Sequence, residues 1–167
     1  MYTTDTCDAL GDQAHPLPPI YLHFGKRKAF SGIAVTVKCF EDSSRVKELI
    51  TQPGAGKVLV IDGGGSTRCA LWGDESGLTA QQNGWEGAII HGGIRDAARN
   101  ATQDIGLMAL AAVPRKSNRQ NTGATGITVD LGGTHCSAGD YVIADEDGAI
   151  IIPAAAIPLL GLDARQG

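Results

Sequence analysis

The spacing of hydrophobic and polar positions changes along the chain, and each change predicts an element. Residues 3–10 read as a short helix, and HPLPPIYL (15–22) as an extended, proline-rich connector. FSGIAVTVKCF (30–40) mixes β-branched and apolar residues and predicts a strand. A helix is expected from Asp42, which with Ser43 offers capping oxygens, to about Thr51, and QPGAG then makes a turn. KVLVID (57–62) is an unbroken apolar run ending at Gly63-Gly64-Gly65. Such a run is most easily buried on both faces, as in a parallel sheet.

The pattern then alternates. A polar helix is predicted over 74–83, a second buried strand at GAIIH (87–91), a helix from Asp96 to Asp104, and a third apolar segment at GLMALAAV (106–113). Strand–helix–strand–helix–strand spacing predicts an α/β fold with a parallel component. RKSNRQNTGATG (115–126) is a polar loop too long for a simple hairpin. ITVDLGG, YVIAD and GAIIIP read as further strands, with Glu146-Asp147-Gly148 as a hairpin turn. The chain closes on a short segment rich in alanine and leucine.

Composition narrows the class. A chain of 167 residues suits a single domain, 1–167, with a sizeable core. Twenty-three glycines against 5% aromatics favour close backbone packing over a large aromatic core. Apolar runs reach only about seven residues, too short to span a bilayer, and the polar, acidic N-terminus predicts no signal peptide. A cytoplasmic protein is the expectation. The net charge of −4 argues against direct nucleic-acid binding, which needs a basic face. Clusters at Lys26-Arg27-Lys28 and at Arg115, Lys116 and Arg119 read as solvated surface or as contacts for an acidic protein partner. Cys7, Cys39, Cys69 and Cys136 are scattered, and the four histidines show no paired spacing, so a zinc site is not expected.

In sheets of this kind ligands bind outside the carboxyl ends of the strands, and three features fall on that edge. Gly63-Gly64-Gly65-Ser66 follows a strand but matches neither a P-loop nor a dinucleotide fingerprint, so it is a weak anion site or a bare turn. Gly73-Asp74-Glu75-Ser76 opens a helix, whose first amides can hold a carboxylate or phosphate; the alternative is that Asp74 only caps it. Arg95-Asp96 offers a bidentate fork for carboxylates and an oxygen ligand for Mg²⁺; the alternative is an N-cap beside an ion pair. No serine-nucleophile motif is present, and no lysine stands out as a desolvated Schiff-base former.

VLVIDGGGSTRCALWGD, NGWEGAIIHGGIRD and SAGDYVIADEDGAIIIP together resemble the family of the regulator of ribonuclease activity A, which includes the 4-hydroxy-4-methyl-2-oxoglutarate aldolases. The similarity runs from about Thr4 to Pro153. It implies a swivelling β/β/α fold with a partly parallel central sheet. It also implies a homotrimer, sometimes doubled to a hexamer, with sites near subunit interfaces. Aldolase members carry an Asp, twenty residues, then Arg-Asp, and Asp74, Arg95 and Asp96 match that spacing.

By that resemblance Asp96 ligates Mg²⁺ or Mn²⁺, and Arg95 binds the substrate's carboxylate and keto oxygen. The backbone of Gly73, Asp74, Glu75 and Ser76 cradles the pyruvyl carboxylate, while Asp74 orients metal-bound water or relays a proton. The implied reaction is metal-dependent retro-aldol cleavage of 4-hydroxy-4-methyl-2-oxoglutarate or 4-carboxy-4-hydroxy-2-oxoadipate to pyruvate and an oxo acid. Oxaloacetate decarboxylation is implied as a side activity. The alternative is a protein regulator that binds and inhibits ribonuclease E without contacting RNA. Two departures stand out. Arg99 occupies a position that is acidic in the aldolase pattern, and the acidic group that aldolase members supply to a neighbouring subunit from a longer C-terminal segment is not assigned to any residue here.

Overall fold

The computed structural model describes residues 1–162. Its strands are β1 (His15–Pro16), β2 (Leu22–His23), β3 (Phe30–Lys38), β4 (Lys57–Asp62), β5 (Ala70–Trp72), β6 (Gly87–Ile94), β7 (Gly106–Ala112), β8 (Ala124–Thr125), β9 (Val129–Asp130), β10 (His135–Cys136), β11 (Tyr141–Asp145) and β12 (Gly148–Ile152). Its helices are α1 (Thr3–Leu10), α2 (Ser44–Leu49), α3 (Asp74–Gln82) and α4 (Ala97–Asn100), with 3₁₀ turns at Gly11–Gln13 and Ala154–Leu160.

The main sheet runs β1-β12-β11-β3-β4-β6-β7-β2. Strands β3, β4, β6 and β7 are parallel, and β11, β12 and β1 extend one edge antiparallel while β2 closes the other. This is the α/β architecture with a partly parallel sheet that the sequence predicts. Burial on both faces accounts for the unbroken run in β4. Leu59 and Ile61 join one apolar cluster with Val46, Trp72, Trp85, Ile90 and Leu107, while Val58 and Val60 join another with Phe30, Ile89, Met108 and Val142. The expected hairpin is present, with Asp145 paired to Gly148.

Three boundaries differ from the expectation. The helix read from Asp42 begins at Ser44, because the Asp42 carboxylate is used on both sides of the turn: one oxygen accepts the Ser44 N–H at 2.9 Å and the other the Gln120 N–H at 2.6 Å. The strand read as ending at His91 continues through Gly92 and Gly93 to Ile94. A Cβ at Gly93 would lie 3.0 Å from both the Cys69 carbonyl oxygen and the Val113 side chain, so glycine lets β5 and β7 close on the strand there. The helix read over Asp96–Asp104 is only Ala97–Asn100. Asn100 turns its side-chain amide back onto the carbonyls of Arg95 (2.8 Å) and Asp96 (3.1 Å), and the weak helix formers Thr102 and Asp104 follow it.

Helix α1 is tied to the sheet through Asp145, which is 2% exposed. Its carboxylate accepts the Thr3 N–H at 2.7 Å and the Thr3 hydroxyl at 2.8 Å, and also the Asp147 N–H at 3.0 Å. Burial pushes this carboxyl up, but the Thr3 and Asp147 donors and the His23 charge together outweigh it and hold it below the usual aspartate range. A lowered folded value means that the stabilisation is present above the range where an unfolded aspartate titrates and is lost as pH falls through the folded value. Asp145→Asn is therefore expected to cost about 2 kcal/mol at neutral pH, by turning a buried amide toward donors. In urea unfolding its deficit relative to the parent should shrink below about pH 4.

The cysteines behave as isolated small hydrophobes. All four are free, and burial pushes the Cys39 and Cys136 thiols up to about 12. Among the described residues no helix is long and apolar enough to cross a membrane.

Candidate active site

Two of the three edge features meet. Strand β5 pairs in parallel with the end of β6, Ala70 opposite Gly93 and Trp72 opposite Ile94, and the Arg95 N–H donates to the Trp72 carbonyl at 2.8 Å. The end of β5 leads through Gly73 into α3, and the end of β6 leads through Arg95 and Asp96 into α4. The adjacent strand ends thus bring Gly73, Asp74, Arg95 and Asp96 together across 22 positions of sequence. Gly73 is required by closeness rather than by its dihedrals, which are extended. A Cβ there would lie 2.9 Å from an Asp96 carboxylate oxygen and 3.4 Å from Arg95 Nε.

The aspartates do not cap in the way the sequence suggests. Asp96 has the N-cap position of α4 but makes no side-chain cap there, and its backbone is left-handed (φ 56°, ψ 42°). That conformation costs a non-glycine residue on the order of 1–2 kcal/mol. It turns the carboxylate toward the neighbouring helix, where Oδ2 accepts the Asp74 N–H at 3.3 Å and lies 3.7 Å from Arg95 Nε. Asp74 Oδ1 accepts the Glu75 N–H at 2.9 Å. The positive end of α3 is therefore already lined by the protein's own carboxylates, as its dipole favours. Burial pushes the Asp74 carboxyl up, but hydrogen bonds donated by Arg99 and by the Glu75 amide, with the Arg99 charge, leave it below the usual range. The backbone behind it is fixed by Gln103, whose side-chain N–H donates to the Asp74 carbonyl at 2.8 Å.

The third feature is a structural turn. In Gly63–Ser66 the amides of Gly63 and Gly65 donate to the His91 carbonyl, that of Gly64 to Asp62 and that of Ser66 to Gly63. None of these four amides is left for an anion. The Ser66 hydroxyl is itself committed to Glu41 at 2.7 Å.

What the sequence reading missed is a ring of cations. A cavity of about 360 Å³ lies over Gly73, Asp74, Glu75, Arg95 and Asp96, and Lys47, Arg99, Lys116 and Arg119 also line it. Lys47, on α2, is half-buried and donates to the buried Ser76 hydroxyl at 2.7 Å. Burial, followed by the Arg119 charge, pulls its ammonium below the usual lysine range despite the opposing carboxylates of Glu75 and Asp74. Lys116 and Arg119 arrive on the 115–126 loop. The loop is pinned where the Ala70 N–H donates to Arg115 O (2.7 Å), Ser117 N–H to Ala70 O (3.1 Å), and Ser43 N–H to Asn118 O (3.0 Å). Two residues of a cluster read as solvated surface thus belong to the cavity. Arg99 Nη1 pairs with Asp74 Oδ2 at 3.1 Å.

Five cations against three carboxylates leave the lining net positive, which suits a small ligand with more than one negative charge. The planar fork of Arg95 suits a carboxylate beside a carbonyl oxygen. Asp96 offers hard oxygen to a divalent cation.

Comparison with known proteins agrees with the resemblance seen in the sequence. The family model described as "RraA-like: Aldolase/RraA" matches residues 3–151. A protein of Alkalilimnicola ehrlichii named "Putative 4-hydroxy-4-methyl-2-oxoglutarate aldolase" is 46% identical over 149 residues, 89% of this chain and 92% of the relative. The solved structure of the RNA-processing inhibitor RraA from Thermus thermophilis superposes with a TM-score of 0.89 at 37% identity, covering 92% of this chain and 93% of that one. A Geobacillus kaustophilus structure described as S-adenosylmethionine: 2-dimethylmenaquinone methyltransferase matches with a TM-score of 0.89 at 38% identity over 92% of this chain and 95% of its own.

Proposed function

The chain belongs to the RraA-like (Aldolase/RraA) family, and from that premise we propose that it is a divalent-metal-dependent aldolase. It cleaves 4-hydroxy-4-methyl-2-oxoglutarate or 4-carboxy-4-hydroxy-2-oxoadipate to pyruvate and an oxo acid, with oxaloacetate decarboxylation as a side reaction. It works as a homotrimer or hexamer. The observation that carries this reading is the delivery of Arg95 and Asp96 to the N-terminus of α3, inside one cation-rich cavity. A quinone methyltransferase would need an apolar berth for its acceptor, and eight charged side chains line this cavity.

The donor set fits Mg²⁺ or Mn²⁺ in a particular way. Among the described residues no three His, Cys, Asp or Glu side chains converge as a complete metal cage. Mg²⁺ does not need one, since it keeps several waters and binds through one or two carboxylates plus substrate oxygens. Asp96 would hold it. When bound, the cation supplies Lewis-acid stabilisation of negative charge on the keto oxygen.

The protein's own groups do the rest. Arg95 binds the pyruvyl carboxylate and keto oxygen through its fork. The first turn of α3, from Gly73 to Ser76, adds the positive end of the helix dipole, though its Asp74 and Glu75 amides are already taken by the Asp96 and Asp74 carboxylates, and Lys47 adds a fixed charge beside Ser76. The Asp74 carboxylate takes the proton of the 4-hydroxyl as the C3–C4 bond breaks. The bonding pair passes to C3 as enolate, and return of that proton from Asp74 to C3, through water, releases pyruvate. Positive groups already in place where the enolate charge develops lower the barrier. Turnover of either 4-hydroxy acid by the purified protein in excess Mg²⁺, read as pyruvate release, tests the reading, and turnover of neither contradicts it.

Similarity to the Thermus thermophilis inhibitor favours a second reading, in which a surface of the protein binds ribonuclease E. An acidic chain can do this without touching RNA, and such a surface does not exclude the catalytic site.

A further inference from the structure

We propose that Arg99 is the substrate-selecting residue of this site: its guanidinium exchanges Asp74 for a second carboxylate of the ligand, so that the protein prefers oxo acids carrying a carboxylate beyond the pyruvyl unit. The inference deepens the aldolase reading and rests on the cavity placing the pyruvyl end at Arg95.

The geometry separates Arg99 from the other cations. Arg95 lies against Asp96 and Lys47 is committed to Ser76, while Lys116 and Arg119 stand on the 115–126 loop. Arg99 stands on α4, where its own N–H donates to the Asp96 carbonyl at 3.1 Å, so its position is fixed relative to Asp96. Its side chain is 73% exposed at the cavity rim, and among the described residues it makes one ion pair, to Asp74. A pair that exposed is weakly held, so an incoming carboxylate can replace Asp74 at little cost. Replacement frees Asp74 Oδ2 for the reacting end, while Oδ1 keeps the Glu75 amide. An arginine fork is matched to a planar carboxylate in a way that a point charge is not. The lining has room and charge for the second anion: about 360 Å³, with five cations facing three carboxylates. Arg99 therefore gives this rim a planar cationic group that can take the second carboxylate.

The test uses oxo acids that cannot undergo retro-aldol cleavage because they lack a 4-hydroxyl. The purified protein in Mg²⁺ is titrated calorimetrically with 2-oxoglutarate, which has the second carboxylate, and with 2-oxobutyrate, which does not. The parent is expected to bind 2-oxoglutarate at least ~10-fold more tightly. Arg99→Gln should bring that ratio to about one, and Arg99→Lys should leave it in between because the charge stays but the fork is lost. A ratio in Arg99→Gln within about twofold of the parent's, or no preference in the parent, overturns the proposal. Because this readout is binding, it stands apart from turnover. Failure to release pyruvate from a 4-hydroxy acid would count against the aldolase reading, whereas an unchanged ratio counts against Arg99.

Discussion

Replacing Asp96 should reduce pyruvate release from 4-hydroxy-4-methyl-2-oxoglutarate by ~10³-fold or more, the largest effect expected of any single substitution here. Asp96 is the residue that would hold the cation, and its carboxylate is also turned onto the first amide of α3. The substitution needs care because the backbone is left-handed at this position. Asp96→Ala removes the carboxylate but adds strain, since alanine tolerates positive φ poorly. Asp96→Asn keeps the shape and the tolerance of that conformation and removes only the charge. Both should be inactive in steady-state assays, while Asp96→Asn should unfold within a few degrees of the parent. Substantial turnover by Asp96→Asn would remove Asp96 from the reaction. If ribonuclease E is also bound, its retention by this variant would place that surface away from the site.

Arg95→Ala is expected to lower kcat/KM by roughly 10²–10³-fold, through loss of the fork on the pyruvyl carboxylate and keto oxygen. The side chain is 41% exposed, so its removal leaves no large cavity and the fold should survive. Arg95→Lys should recover only part of the loss, because an ammonium restores charge without bidentate geometry. Equal rates for Arg95→Ala and the parent, measured with the same substrate, would contradict the assigned binding mode.

The parts of the site legible in the sequence are those delivered by their own strands and helix starts. Arg95 and Asp96 follow β6, whose apolar run GAII is legible locally, and Asp74 was legible as a helix start, although the short strand β5 before it was not. The direction of a side chain was not legible. Asp96 looks like an ordinary helix cap, yet its left-handed backbone sends the carboxylate to a different helix. Gly63–Ser66 looks like an anion loop, yet His91 and Asp62 consume its amides from positions the local sequence does not reveal.

The cations were illegible for a related reason. Lys47 reaches Ser76 across 29 positions, and Lys116 and Arg119 depend on a loop fastened to Ala70, Ser43 and Asp42. No local period encodes those contacts. The sheet itself was legible because burial on both faces leaves a continuous apolar signal in β4, β6 and β7. The short α4 was not, because Asn100 ends it through its own side chain rather than through glycine or proline.

In the proposed reaction this cavity cleaves a 4-hydroxy-2-oxo acid with help from a divalent cation held at Asp96. The most direct measurement is pyruvate release from 4-hydroxy-4-methyl-2-oxoglutarate by the parent protein in excess Mg²⁺, then with EDTA, then with Mg²⁺ restored. Turnover is expected to disappear with the chelator and to return with the metal. Turnover that persists unchanged in EDTA, or none at all in excess Mg²⁺, would contradict it.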